Sequence, residues 1–299
     1  MNKLLIIAGP TATGKTNLGL KLAKKFNGQI ISADSRQVYI GMDIGTGKDK
    51  PKTGPKIHGY DLVKPDQDFS VAHFVNFALP LIKAIHKAGE LPIVVGGTGL
   101  YLKALTQPLD TINIKPNLKL RKKLNQLTVK QLQTQLKQLN PDRFNSMNHS
   151  DQLNPRRLIR ALEISPSHLQ GPTLKAEFDI LWIGLSAKKP ILDKRIVKRV
   201  EKRIKQGAEQ EVKALIKAGY SWDLPSLSAM GYRQWQPYFA GQATLEDVKQ
   251  AWITAEQQYL RHQLTWFKTQ PHINWLDITD KNLFTKVASQ VKTWYTNIV

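Results

Sequence analysis

Positions 3–22 of the chain read KLLIIAGPTATGKTNLGLKL. The apolar run over residues 3–8 is typical of a buried strand, and leucines at helical spacing predict a helix over residues 15–26. Between them, Gly9–Thr16 fits the pattern G-x-x-x-x-G-K-[ST] of a phosphate-binding loop. A strand before this pattern and a helix after it form the context in which such a loop binds phosphate. The stretch therefore predicts an α/β fold with an anion site at its first helix.

The residue types of this loop suggest its chemistry. Glycines let the backbone curl so that successive N–H groups face inward, and the helix dipole adds positive potential there. Lys15 adds a charge between phosphates, and the Thr16 hydroxyl can hold Mg²⁺. A glycine turn of purely structural use is the alternative. The predicted phosphate-binding residues are Gly9, Pro10, Thr11, Ala12, Thr13, Gly14, Lys15 and Thr16.

Further apolar runs, over residues 29–33, 91–95 and 178–185, predict more strands, and residues 71–88 have a helical pattern between two of them. Strands that alternate with helices indicate a mostly parallel sheet flanked by helices, as in the core of P-loop NTPases. Ligands of such sheets bind at the carboxyl ends of the strands.

Composition changes in the middle of the chain. Residues 115–150 lose the strand-like runs and become rich in Lys, Gln, Leu and Asn, and leucine spacing predicts a helix over residues 129–139. We therefore predict a discontinuous catalytic core, residues 1–114 and 177–299, with a small inserted helical domain over residues 115–176.

The chain is strongly basic, with 44 Lys and Arg against 23 Asp and Glu and a formal net charge of +21. Residues 115–213 alone hold 22 basic and 9 acidic side chains. This concentration predicts a polyanionic partner, of which nucleic acid is the commonest. An anionic membrane surface and charge that serves solubility are the alternatives, and composition does not choose among them. Arg195, Arg199 and Arg203 recur every four residues, which predicts a basic helix face for RNA phosphates or a small diphosphate, unless it is simply solvated.

Composition also excludes several classes of protein. The chain has no Cys, so it has no disulfide framework, thiolate metal site or cysteine nucleophile. None of its seven His forms a ligand-spaced pair with a matching carboxylate. The apolar runs are too short to span a bilayer, and the N-terminus lacks a signal-peptide pattern. We expect a cytoplasmic monomer without a membrane partner.

Asp34 follows the second predicted strand, at the edge of the sheet where the phosphate loop is expected. A carboxylate there can take a proton from an incoming nucleophile. It can equally cap the next helix. The sequence pattern leaves both roles open.

Seven blocks in fixed order resemble the tRNA dimethylallyltransferase family, also called isopentenyl-tRNA transferases. They run over most of the chain, and each is weak alone, whereas seven in register are specific. The blocks are GPTATGKT at Gly9–Thr16, DSRQVY at Asp34–Tyr39, GMDIGT at Gly41–Thr46, VGGTGLY at Val95–Tyr101, RLIRALE at Arg157–Glu163, GYRQ at Gly231–Gln234 and RHQLTWF at Arg261–Phe267.

The resemblance implies that the loop and Arg199 hold the diphosphate of dimethylallyl diphosphate rather than ATP. It implies alkyl transfer to N6 of adenosine 37, beside the anticodon, with Asp34 as the base. Lys15 and a Mg²⁺ ion held by Thr16 would stabilise the negative charge of the departing diphosphate. The inserted domain resembles a helical module that grips the tRNA anticodon stem-loop. The implied tRNA-binding residues are Asp34, Ser35, Arg36, Gln37, Thr98, Arg121, Arg156, Arg157, Leu158, Ile159, Arg160, Arg261, His262, Gln263, Leu264, Thr265, Trp266, Phe267 and Lys268.

The chain departs from the family's common pattern at several positions. It has Gly47 within Gly-Thr-Gly-Lys-Asp, where relatives commonly have Gly-Thr-Ala-Lys-Pro. Ser228 replaces a common Arg or Gln, and Glu256-Gln257 replaces a common Thr-Arg pair. If that arginine supports the diphosphate, its loss weakens the site, and Glu256 could repel the leaving group. These departures leave the predicted fold unchanged and bear on the rate of the reaction, or on activity itself.

Three other functions fit parts of the sequence. The first 110 residues would suit a small-molecule P-loop kinase, against which the basic middle third and the later blocks argue. Prenyl transfer to free adenine nucleotides is a second alternative. An RNA-binding protein that has lost catalysis is the third, because of Ser228 and Glu256-Gln257.

Overall fold

In the computed structural model, residues 2–51, 53–107, 111–112, 114–165 and 178–296 are described. The chain divides into two compact units. The core unit combines Met1–Thr106 with Ala176–Val299, and the helical unit is Gln107–Lys175. Within the described ranges, no helix is long and apolar enough to cross a membrane.

The core unit is built on one six-stranded sheet in which every pairing is parallel, in the order β3-β2-β4-β1-β5-β6. The predicted α/β fold with a mostly parallel sheet is confirmed, and all four predicted strands form. The strands are β1 (Asn2–Ala8), β2 (Gly28–Ala33), β3 (Ile57–His58), β4 (Leu91–Gly96), β5 (Phe178–Ser186) and β6 (Asn274–Asp277).

The register of the central strands brings their carboxyl ends to one level. Strand β1 lies between β4 and β5, and Ala8, its last residue, pairs with Gly96 on one side and Gly184 on the other. Ala33, the last residue of β2, pairs with Gly96 as well. The phosphate loop, Asp34 and the turn after β4 therefore start side by side at one edge of the sheet.

Thirteen helices and one short 3-10 helix, Arg233–Trp235, are present among the described residues. The predicted helices over residues 15–26, 71–88 and 129–139 correspond to α1, α2 and α5. The helices are α1 (Lys15–Lys25), α2 (Val71–Lys87), α3 (Gly99–Thr106), α4 (Leu118–Leu124), α5 (Val129–Leu139), α6 (Pro141–Ser146), α7 (His149–Gln152), α8 (Pro155–Ile164), α9 (Lys189–Lys205), α10 (Ala208–Lys217), α11 (Gln236–Phe239), α12 (Leu245–Lys268) and α13 (Leu283–Thr296).

Two apolar clusters stabilise the core unit. One joins α1 and α13 to the central strands, among which Leu5 and Ile7 are fully buried. The other joins α9, α10 and α12 and includes the fully buried Trp235 and Trp252. The apolar stripe of α9, with Leu192, Ile196 and Val200 at spacing four, lies in this second cluster and leaves the arginines of α9 on another face.

Each helix of the helical unit begins at a polar cap. Side chains of Asn117, Thr128, Asn140, Asn148 and Asn154 accept backbone N–H bonds in the first turns of α4 to α8. Buried apolar residues then hold the short helices together. They are Leu124, Leu132, Leu136, Phe144, Met147, Leu158, Ile159, Ala161 and Leu162.

This packing corrects part of the predicted RNA surface. Leu158 and Ile159 lie in the core of the helical unit, with exposed fractions of 0% and 5%. Their side chains hold α8 in place and are not available for contact with RNA. The sequence block that contains them has one face toward the core and one toward solvent.

Glu163 on α8 organises the charged side of the helical unit. Its carboxylate accepts a bidentate pair of hydrogen bonds from Arg121, at 2.9 and 2.8 Å, and one from Arg160 at 2.5 Å. Arg160 also donates to the Thr111 and Ile114 carbonyls at 2.8 and 2.9 Å. Burial alone would raise the pKa of Glu163, but the hydrogen bonds from Arg121, Arg160 and the Asn117 N–H lower it to about 2.

Replacement of Glu163 by Gln tests this network. Because two arginines that are 36% and 31% exposed lose their ion pair, we expect the helical unit to lose roughly 2 kcal/mol of folding stability at pH 7. A lowered pKa stabilises the fold above the unfolded value of 4.5, so the difference between wild type and variant shrinks as the pH falls toward about 2. Hydrogen exchange of α4 and α8 amides in the full chain measures it, and equal protection at pH 7 would contradict the assignment.

Candidate active site

A cleft of about 940 Å³ opens at the carboxyl edge of the sheet, within the core unit. It is lined by the phosphate loop, the turn after β2, the loop over residues 43–49, the turn after β4, and the facing sides of α9 and α12. Parallel sheets bind their ligands at this edge, which makes the cleft the candidate active site.

The phosphate loop leaves β1 through a turn that only glycine fits. Gly9 has φ +145°, and a Cβ atom there would lie 2.4 Å from the Leu185 carbonyl oxygen. Beyond the turn, the Thr13 hydroxyl and the Lys15 ammonium both donate to the Pro10 carbonyl, at 2.9 and 2.7 Å. These bonds close the loop over the start of α1. Lys15 and Thr16 both line the cleft.

Lys15 is a perturbed titratable group. Burial is the main cause that lowers its pKa to about 7, the positive charge of Arg199 lowers it further, and the charge of Asp34 acts in the opposite direction. Lys15 therefore lies close enough to both Arg199 and Asp34 to be affected by their charges. The predicted diphosphate-binding arginine and the predicted base thus lie in the same part of the cleft. A bound anion would raise this pKa, because it stabilises the charged ammonium.

Gln263, predicted to contact RNA, lies instead inside the site with 6% of its surface exposed. Its Oε1 accepts the Thr11 N–H at 2.8 Å, and its Nε2 donates to the Gly97 carbonyl at 3.0 Å. One side chain of α12 thus ties the phosphate loop to the turn after β4. This corrects its predicted role, since neither end of the amide is free for RNA.

The other residues of the predicted C-terminal RNA segment divide by burial. Phe267 is 2% exposed and packs in the core, where its ring meets Trp275 edge-on. Leu264 and Trp266 are partly buried. The exposed members, which remain open to a partner, are Arg261, His262, Thr265 and Lys268.

The turn after β2 brings Asp34 and Arg36 to the lip of the cleft. One carboxylate oxygen of Asp34 accepts the Arg36 N–H at 2.8 Å, which closes a local turn rather than capping an α-helix. The Ser35 N–H donates to the Thr98 hydroxyl at 3.2 Å, and Arg36 donates to the Pro225 carbonyl at 2.7 Å. The predicted residues Asp34, Ser35, Arg36 and Thr98 therefore come together.

Gln37 is the exception in this group. Its Oε1 accepts the Ser32 hydroxyl at 2.7 Å, its Nε2 donates to the Gly47 carbonyl at 3.0 Å, and 9% of it is exposed. The predicted contact with a target base is therefore not available to this amide as it stands. Gln37 joins β2 to the loop over residues 43–49 instead.

Arg199 meets the phosphate loop directly. Its guanidinium donates to the Thr11 hydroxyl at 2.7 Å and also pairs with Glu256 of α12. Glu256, expected to repel the leaving group, is therefore paired with an arginine, and its negative charge is offset. The predicted diphosphate-binding role of Arg199 fits its position beside the loop.

Two tyrosines of the cleft were not predicted from the sequence, and Arg203 was predicted only as part of a basic helix face. Tyr60 and Tyr259 line the cleft, and Tyr259 bonds to Thr98; burial raises the pKa of both phenols, and the Asp34 charge raises it further. Tyr259 lies in α12, and in the sequence a tyrosine at helical spacing is not distinguishable from a packing residue. Arg203 also lies here, and burial followed by the Arg199 charge lowers its pKa to about 10.

The Thr16 hydroxyl, the predicted ligand of a divalent cation, lines the cleft. Among the described residues, no three or more His, Cys, Asp or Glu side chains are grouped to hold a metal. Mg²⁺ commonly keeps most of its shell as water and substrate phosphate oxygens, with one or two protein oxygens. The Thr16 hydroxyl at the phosphate loop suits that arrangement.

Fold and cleft together define a P-loop protein that binds a phosphorylated substrate beside a carboxylate. Strand β4, the neighbour of β1, ends at Gly96 and is followed by Gly97, so it lacks the terminal Asp with which P-loop kinases hold Mg²⁺. The cations of the cleft suit the stabilisation of a departing diphosphate.

Comparison with known proteins identifies the family. The IPP transferase family model matches residues 37–270, and an isopentenyl transferase model matches residues 2–56. The tRNA dimethylallyltransferases of Anoxybacillus flavithermus and Carboxydothermus hydrogenoformans are 36% and 38% identical to the chain, over 97% of its length in both cases and over 94% and 96% of theirs. The chain belongs to the IPP transferase family, which confirms the predicted resemblance.

Solved structures agree with this assignment. The tRNA isopentenylpyrophosphate transferase of Bacillus halodurans is 35% identical, with a TM-score of 0.75 over 98% of this chain and 97% of its own. A eukaryotic dimethylallyltransferase acting on tRNA has a TM-score of 0.80 at 28% identity, over 98% of this chain and 78% of its own.

The pKa of Lys15 makes a pH-dependent prediction. Because an anion binds the protonated ammonium, affinity for inorganic diphosphate should fall as the pH rises above the Lys15 pKa of about 7, by up to roughly tenfold per unit. Calorimetry in two buffers of different ionisation enthalpy should show proton uptake near pH 7.

Lys15→Arg is the matched control, because a guanidinium stays protonated over this range. The titration of diphosphate itself is common to both proteins. The variant should bind with a smaller pH slope and less proton uptake. An identical slope in both proteins would show that Lys15 does not titrate on binding.

Proposed function

We propose that the chain transfers the dimethylallyl group of dimethylallyl diphosphate to N6 of adenosine 37 in tRNA and releases diphosphate. One observation carries this proposal: a single cleft holds a phosphate loop, Arg199 and Arg203 of α9, and Asp34, while the strand beside the loop ends without a metal-binding Asp. The relatives named as tRNA dimethylallyltransferases support it.

The leaving group accounts for the cations of the cleft. When the bond between the allylic carbon and the diphosphate oxygen breaks, negative charge grows on the diphosphate. Loop N–H groups, the Lys15 ammonium and the Arg199 guanidinium would stabilise that charge in a buried setting, where such interactions are strong. Mg²⁺, held by Thr16 and the diphosphate, would supply further positive charge when bound.

The nucleophile accounts for Asp34. The lone pair of an exocyclic adenine amine is delocalised into the ring, so the amine attacks poorly unless it loses a proton as the new bond forms. The N6–carbon bond forms, the carbon–oxygen bond to diphosphate breaks, and the N6 proton passes to the Asp34 carboxylate. The hydrogen bond from the Arg36 N–H orients this carboxylate at the lip of the cleft.

RNA binding is assigned to residues of the cleft and to the helical unit. The target base must leave its stack to enter the cleft, near Ser35, Arg36 and Thr98. The helical unit would grip the anticodon stem-loop with its exposed Arg156 and Arg157, while Arg121 and Arg160 hold Glu163. Action as a monomer in the cytoplasm, where tRNA is modified, belongs to the same proposal.

A product analysis distinguishes the candidate functions. The protein is incubated with dimethylallyl diphosphate and unmodified tRNA, with dimethylallyl diphosphate and AMP, or with ATP alone. We expect isopentenylated adenosine 37 in digested tRNA and one diphosphate per modified tRNA. Modified AMP or ATP turnover would indicate the adenylate transferase or the kinase, and tRNA binding without product would indicate a protein without catalysis.

Asp34→Asn separates a base from a residue that only forms a turn. Asn keeps the side chain's shape and its acceptor for the Arg36 N–H but lacks the basicity. Single-turnover transfer at saturating tRNA should fall by roughly two to four powers of ten, the usual contribution of general base catalysis. Binding of tRNA and the melting temperature should change little. A variant that reacts at the wild-type rate would remove Asp34 as the base.

The exposed arginines of α8 make a second prediction. Joint replacement of Arg156 and Arg157 by Ala should weaken tRNA binding and reduce the salt slope by about one for each lost phosphate contact. Lys286→Ala is the control, because Lys286 is an exposed basic residue of α13 paired with Asp280. Filter binding over a range of salt measures both. Equal slopes for the double variant and the control would exclude α8 from the RNA surface.

A further inference from the structure

Arg203 lies one turn after Arg199 on α9 and lines the same cleft. Its side chain is 12% exposed. The guanidinium donates to the Gly45 carbonyl at 3.1 Å and to Glu256 Oε1 at 3.2 Å. A cation held on both sides at the wall of a phosphate site is oriented before any ligand arrives.

Gly47 makes room for this guanidinium. A Cβ atom at position 47 would lie 1.8 Å from Arg203 Nη2 and 2.8 Å from Cζ, so Arg203 packs directly on the backbone of the loop. Gly47 has φ +68°, a left-handed conformation that favours glycine. Any larger residue at this position must displace the Arg203 side chain.

Glu256 is the counter-ion that offsets the cost of burying Arg203. The residue is 3% exposed, pairs with both Arg199 and Arg203, and accepts the Trp252 indole N–H at 3.3 Å. An unpaired buried cation would destabilise the fold strongly. Two guanidiniums and one carboxylate leave one positive charge in excess, beside the phosphate loop that Arg199 touches through Thr11.

The excess charge also has an unused donor next to it. The Nε of Arg199 is buried and has no hydrogen-bond partner within the described part of the chain. An acceptor that enters the cleft between the loop and α9 would satisfy this donor.

We propose that Arg203 binds the diphosphate group in this chain and that Glu256 positions both Arg203 and Arg199 for this role. The proposal rests on the proposed function, because it assumes that the phosphate loop holds a diphosphate. It assigns Glu256 a supporting role in place of the repulsion that its charge alone would predict.

The test is the affinity of each full-length variant for inorganic diphosphate with Mg²⁺, measured by calorimetry without tRNA. Arg203→Met keeps the length of the side chain and removes its charge. Because a lost charged hydrogen bond weakens binding about tenfold or more, the dissociation constant should rise by at least that factor. A variant that melts like the wild type and binds within twofold of it would overturn the proposal.

A second pair of variants tests Glu256. In Arg203→Met, Arg199 alone balances Glu256, so the excess positive charge beside the phosphate loop is lost. Adding Glu256→Gln restores that charge, so the double variant should bind diphosphate roughly threefold more tightly than Arg203→Met alone. In the otherwise wild-type chain the same change also releases Arg203 from its partner and should give no such gain. Glu246→Gln, the same change at an exposed position of α12, should have no such effect. Equal affinity of the double and single variants, or an equal gain in both backgrounds, would overturn the positioning role of Glu256.

Gly47→Ala tests the geometry without removal of a charge. The added methyl group displaces the Arg203 guanidinium, so diphosphate affinity should fall in the wild type but not in the Arg203→Met background. If Arg203→Met does not fold, Arg203→Gln, which keeps a donor for the Gly45 carbonyl, is the second background. An equal loss in both backgrounds would mean that Gly47 acts through the loop and not through Arg203.

Lys15→Ala separates this proposal from the proposed function. In one outcome the wild type binds diphosphate, Lys15→Ala does not bind it, and Arg203→Met binds it as the wild type does. Only the proposed role of Arg203 then fails. If the wild type does not bind diphosphate at all, the proposed function and this proposal fail together.

Discussion

Strand β1 ends between two neighbours, and the turn that follows it has space for glycine alone. Leu4 to Ala8 are fully buried, and Ala8 is paired on both sides. The chain therefore leaves the sheet at the carboxyl end of β1. At Gly9 any side chain would collide with the Leu185 carbonyl oxygen. This constraint directs the loop toward the start of α1, where Lys15 and Thr16 line the cleft. The positions of Lys15, Thr16 and the anion site depend on it.

Helix α12 then connects the phosphate loop, the turn after β4 and helix α9 around the cleft. Gln263 bonds to Thr11, 252 residues away in the sequence, and to Gly97. About two turns earlier, Glu256 pairs with Arg199 and Arg203 of α9. The solvent side of the same helix carries Arg261, His262, Thr265 and Lys268. A partner bound to that side would therefore act on a helix that fixes the phosphate loop, and this links the proposed RNA surface with the proposed site of chemistry.

The sequence alone indicated the features that local patterns determine. Apolar runs predicted β1, β2, β4 and β5, and spacing predicted α1 and α5, because each element buries a continuous strip of its own residues. The edge strands β3 and β6 are two and four residues long, too short for such a pattern. Residue roles that depend on distant partners were wrong or missed: Gln263 and Leu158 are internal, and the Arg203–Glu256 pair joins positions 53 residues apart. A motif indicates that a residue type matters, but only packing decides which way its side chain faces.

The central claim is that the phosphate loop serves a prenyl diphosphate and not a nucleotide. Competition binding tests it most directly: labelled dimethylallyl diphosphate is held on the wild-type protein with Mg²⁺, and unlabelled inorganic diphosphate or ATP is added. Because the loop, Lys15 and the arginines recognise the diphosphate group alone, inorganic diphosphate should displace the label at a concentration at least tenfold lower than ATP requires. Displacement by ATP at the lower concentration, with hydrolysis of its γ-phosphate, would contradict the claim.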